Sequence, residues 1–78
     1  QIDFMSIDID GDDYWVFEQL GCRPNVICIE YNPTVSFWID CVQEPGQMFG
    51  ASLAAMNRLA KLKGYFLAAV TDSNLFFL

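Results

Sequence analysis

A chain of 78 residues with net charge −6 makes at most one small domain, and with no His and only four Lys and Arg it lacks the clustered cations that grip a nucleic-acid backbone. Its hydrophobic content of 54% includes seven Phe, three Tyr and two Trp, a large apolar load for so small a body, yet no apolar run approaches the ~18 residues that would cross a bilayer. These numbers argue against nucleic acid and membrane as partners and predict a soluble, cytoplasmic protein whose surplus aromatic surface meets another part of the protein or a second copy.

The first run, Asp3 to Asp13, alternates apolar and polar residues and then ends in carboxylates around Gly11; five of the ten acidic residues fall in it. Period-two alternation predicts a strand with Ile7 and Ile9 on one face and Asp8 and Asp10 on the other. Gly11 permits a sharp turn, and Asp12 or Asp13 is placed to cap a following helix. That helix is expected over Asp13 to Gly21, with Val16 and Leu20 in i,i+4 register as its buried stripe, Trp15 beside it and Gly21 at its end. Pro24 then forces an extended connector.

Val26 to Asn32 is almost continuously apolar and β-branched, which predicts a central strand covered on both faces and ending, like the first, in polar groups. Strand, helix, strand over this length is a βαβ unit with parallel strands, so the two polar tips share one sheet edge. The stretch from Pro33 to Gly50 is longer than the usual connection of about two to six residues. It is expected to hold a short strand from Val35 to Cys41 or to act as a lid carrying Phe37, Trp38, Met48 and Phe49. Ala51 to Lys63 is the clearest helix, capped by Ser52 or Gly50 and closed by Gly64, with Leu53, Met56 and Leu59 or Ala60 recurring at helical spacing. Arg58, Lys61 and Lys63 crowd this helix and read as a solvated, cation-bearing helix end. Tyr65 to Val70 and Leu75 to Leu78 make two strands, joined into an antiparallel hairpin by the turn at Thr71 to Asn74.

Ligands of open α/β sheets bind beyond the carboxyl ends of the parallel strands. Those ends here carry Asp8 and Asp10 from the first strand and Glu30 and Asn32 from the second, which are the candidate catalytic residues: a carboxylate so placed can act as general base toward a hydroxyl, and hard oxygen ligands can hold Mg²⁺ or Ca²⁺. A divalent ion is the less favoured option. No phosphate-cradling glycine loop and no Ser-His-Asp set occur. Cys22, Cys28 and Cys41 form neither a CxxC pair nor an even framework, so free thiols in a reducing compartment are expected, and without His none is activated as a nucleophile.

At these same residues the chain resembles the FkbM-like branch of the class I methyltransferases that use S-adenosylmethionine. Asp8-Ile9-Asp10-Gly11-Asp12-Asp13 is similar to that family's Asp-Val-Glu-Gly-Ala-Glu element at the end of the fourth sheet strand, with Asp10 one carbon shorter than the family's Glu. Ile29-Glu30-Tyr31-Asn32 resembles the end of the fifth strand, and Gly50 to Leu53, Lys63 to Tyr65 and Asn74 to Leu78 resemble the succeeding helix and last two strands. The resemblance implies an α/β fold of residues 1–78 forming a partial Rossmann-like methyltransferase sheet, two parallel strands plus a C-terminal antiparallel hairpin with two main helices. In it the final strand inserts between the second and third.

The start at Gln1 and the apolar end at Leu75 to Leu78 read as the edges of an excerpt from the C-terminal half of such a domain, without the glycine-rich turn that seats the cofactor. The implied activity is methyl transfer to a small-molecule or sugar oxygen in the parent protein, with the excerpt itself inactive. From the excerpt reading, the unpaired edge of the first strand and the apolar face around it are expected to drive self-association into a dimer or larger homo-oligomer. A competing expectation is a non-catalytic α/β interaction module that self-associates through its aromatic surface.

Overall fold

The computed structural model describes residues 3–9, 11–36, 38–47 and 50–78. The expectations placed on Asp10, and on Phe37, Met48 and Phe49 as parts of a lid, lie outside the described residues. Among the described residues six elements follow in chain order: β1 (Phe4–Ile7), α1 (Asp13–Gln19), β2 (Val26–Glu30), α2 (Leu53–Leu62), β3 (Leu67–Val70) and β4 (Asn74–Phe77). The strands form one mixed sheet in the order β1-β2-β4-β3, with β1 parallel to β2 and β4 antiparallel to both of its neighbours. The last strand therefore inserts between the second and third, as expected.

Alternation along the strands decides which face is the core. Ile7, Ile27, Ile29, Leu75 and Phe77 lie on one face and join Tyr14 and Phe17 of α1 and Ala55, Met56, Leu59 and Ala60 of α2 in a single cluster. Both helices cover that face alone. The expectation that β2 is covered on both sides is corrected: Ile27 and Ile29 are buried, whereas Val26, Cys28 and Glu30 are only half-buried on the side that carries no helix.

β1 is shorter than its sequence pattern. It leaves the sheet after Ile7, and Ile9, expected beside Ile7 in the core, is 49% exposed. The cause is local, since the backbone N–H of Ile9 donates to the Asp13 carboxylate instead of continuing the ladder. α1 ends at Gln19, with Leu20 extended rather than Gly21 in a left-handed turn. Its buried face is Tyr14 and Phe17, one position round from the expected Val16 stripe; Val16 is exposed and Leu20 half-buried. The rotation follows from ring area: Phe17 packs against both Tyr65 and Phe77 with centroids 6.1 Å apart, and an aromatic ring buries more apolar surface than Val.

α2 follows its sequence signals closely. Ser52 Oγ accepts from Ala55 N at 3.2 Å, and the helix closes with Gly64 N donating to Lys61 O and Tyr65 N to Ala60 O, the paired bonds of a Schellman ending. Gly64 supplies the left-handed residue this ending needs, at φ +88. The strand expected at Val35 to Cys41 is not formed among the described residues of that stretch; an isolated bridge joins Val42, just beyond it, to Ala51.

Candidate functional site

Parallel pairing of Phe4–Ile7 with Val26–Ile29 brings the carboxyl ends of β1 and β2 side by side. Asp8 follows β1 and Glu30 ends β2, and the third member of the group is Asp13, at the first turn of α1. One oxygen from each lies within 4.8 Å of the others. Asp8 is exposed, Glu30 half-buried and Asp13 buried. Of the four residues expected to carry chemistry, the structure thus brings Asp8 and Glu30 together. Asn32 is committed otherwise: its Oδ1 accepts from Thr34 N at 2.9 Å and Thr34 Oγ1 at 2.6 Å, an Asx-type turn that starts the long loop.

Neither Asp12 nor Asp13 caps α1, which corrects the role expected of both. The helix has Asp12 at its N-cap position but without a side-chain capping bond. Asp13 instead turns both carboxylate oxygens back on the β1 tip, Oδ1 accepting from Gly11 N and Oδ2 from Ile9 N, each at 3.1 Å. These two backbone donors satisfy the buried carboxylate and offset part of the cost of taking it out of water. Asp12 Oδ1 accepts from Gln43 Nε2 at 2.7 Å and from Gly46 N at 2.9 Å, tying the long loop to the start of α1.

Gln43 was not singled out by its sequence context, yet it is the buried pin of that loop. Its side chain bridges Asp12 and the backbone N–H of Gly50, while its carbonyl accepts from Trp15 Nε1 at 2.8 Å. A second clamp lies outside it, where Arg58 of α2 donates to both oxygens of Asp40 and, through Nη2, to Tyr14 Oη. Hydrogen bonds from Arg58 hold the Asp40 carboxyl below its usual range, and the same pairing raises Arg58. The described part of the loop is therefore fastened to the helices rather than hinged over the strand ends, and Trp38 stands 81% exposed at its tip. Burial, with Asp8 nearby, pushes the Cys28 thiol upward against a hydrogen bond from Ser6 that pulls it down.

Three carboxylates this close repel one another, and a hard oxygen set of this kind suits Mg²⁺ or Ca²⁺. Asp13, however, already spends an oxygen lone pair on each of two backbone donors, so its first task is to shape the strand tip. Comparison with protein-family models, with curated proteins and with solved structures finds no match.

Proposed function

We propose that Asp8 and Glu30 form the acceptor side of a methyl-transfer site that uses S-adenosylmethionine. The observation that carries this reading is the strand order, with β4 antiparallel between β2 and β3 and the two carboxylates at adjacent parallel strand ends. That is the arrangement implied by the resemblance of Asp8 to Asp13 and of Ile29 to Asn32 to the methyltransferase elements. Asp8, open to solvent, is available to take a proton from an acceptor hydroxyl, and Glu30 to orient it. Asp13 positions Asp8 through the backbone of Ile9 and Gly11.

The cofactor would supply an electrophilic methyl group. The described residues fit the acceptor side and include no glycine-rich turn to seat a nucleoside, so the 78-residue chain by itself is expected to bind S-adenosylhomocysteine weakly in calorimetry. The test is radiolabelled methyl transfer by the protein made from the complete open reading frame, offered hydroxyl and carboxyl acceptors. Asp8→Asn and Glu30→Gln should each lower kcat on the order of 100-fold, as loss of a general base does. A folded protein that neither binds S-adenosylhomocysteine nor transfers a methyl group to any acceptor class would sink the reading.

A further inference from the structure

The side of the sheet away from the helices has an ordered chemistry. Strand registers align Ser6, Cys28, Phe76 and Ala69 in one row across all four strands and Glu30 with Asn74 in the row above, while Asp8, just past the end of β1, has a carboxylate oxygen within 4.8 Å of Glu30's. The row below contains Phe4 and Val26, then Leu78 and Phe66, which exchange both backbone hydrogen bonds and so face the same way. Phe4, Phe66 and Leu78 are 56%, 63% and 45% exposed. A parallel strand pair is normally covered on both faces, and this face offers apolar rows closed by two carboxylates with no cation in its rows.

The outer side of α2 is its counterpart. Leu53, Ala54, Asn57, Arg58, Lys61 and Leu62 line a shallow groove there, with Leu62 77% exposed. Arg58 is held by Asp40, whereas Lys61 makes no ion pair among the described residues. We propose that the open sheet face docks the outer face of α2 of a second copy of this chain, Leu62 and its neighbours on the Phe4, Phe66 and Phe76 rows and Lys61 toward Asp8 and Glu30. Charge decides for this occupant over a face-to-face sheet dimer, which pairs two acidic, cation-free surfaces. Because the two surfaces lie on opposite sides of one chain, the contact is heterologous, and copies stack helix layer on sheet layer without closing as a dimer. The inference rests on these faces, and it competes with the methyl-transfer reading for Asp8 and Glu30, because a docked Lys61 occupies the carboxylates that reading leaves open to an acceptor.

Sedimentation velocity over a concentration series tests it, with circular dichroism to verify that each variant is folded. Leu62→Asp spoils the helix face and Phe66→Asp the sheet face, and both side chains are exposed enough for the fold to tolerate the change. The wild-type chain should grow past twice the monomer mass, each variant alone should stay monomeric, and their equimolar mixture should form heterodimers and stop there. Lys61→Glu should weaken association about tenfold. A wild-type chain monomeric at every concentration overturns the proposal, as does association that survives Leu62→Asp, or a mixture of the two variants that stays monomeric.

Discussion

Asp13 is where the acidic run stops being a row of similar charges. Its carboxylate is buried and holds two backbone N–H groups of the β1 tip, so Asp13→Ala leaves those donors unpaired in a largely dry place. A loss of about 2 kcal/mol in urea unfolding is expected, with Asp8 displaced. Sequence alone suggested a helix cap, because an Asp before a helical run is common at that position; a side chain that reaches backward instead of forward obeys the same hydrogen-bonding rule, and only the turn geometry at Gly11 decides between them. Asp40 behaves differently. Its pKa is lowered by Arg58, so its contribution to stability is present above its unfolded value of about 4 and is lost as pH falls through the folded one. Both partners are nearly half exposed, so Asp40→Asn should cost under about 1 kcal/mol at neutral pH and flatten the acid limb of a stability profile slightly.

Elements with strong local signals were legible and those set by tertiary contact were not. α2 carries its cap, its apolar spacing and its terminal glycine within the sequence, and its ends agree with those signals to within two residues. α1 has only seven residues, too few for its own periodicity to fix which side turns inward, and the ring contacts of Phe17 chose the face. Nothing around Gln43 marks it as buried, since its partner Asp12 is 31 residues away at the start of α1 and Gly50 is at the far end of the loop. Gln43→Ala should release that loop: limited proteolysis between residues 38 and 47 should speed up severalfold, with about 1–2 kcal/mol lost from unfolding free energy.

Across the whole molecule, the sequence pattern gave the strand types and their pairing but not the depth of cover. β2 reads as buried on both sides because Val26 and Cys28 are as apolar as Ile27 and Ile29, and composition does not reveal that both helices choose the same face. Thiol chemistry offers a map of that asymmetry. Cys22 is exposed while Cys28 is half-buried with its thiol pushed upward, so mass spectrometry of a brief iodoacetamide treatment should find Cys22 alkylated first and Cys28 slower by about an order of magnitude. Equal rates would mean that the open face is looser than described.

The position of β4 has a consequence for how the chain reaches this state. β3 has β4 as its sheet neighbour, and β4 pairs Ile27 with Phe77 across most of the chain's length. As the polypeptide emerges in order, β3 must wait without a strand beside it, and the sheet stays in two unjoined pieces until the hairpin folds back into the gap. Closure thus depends on a long-range pairing made late, a topology that slows folding and leaves the edges of β2 and β3 available to wrong neighbours in the interval.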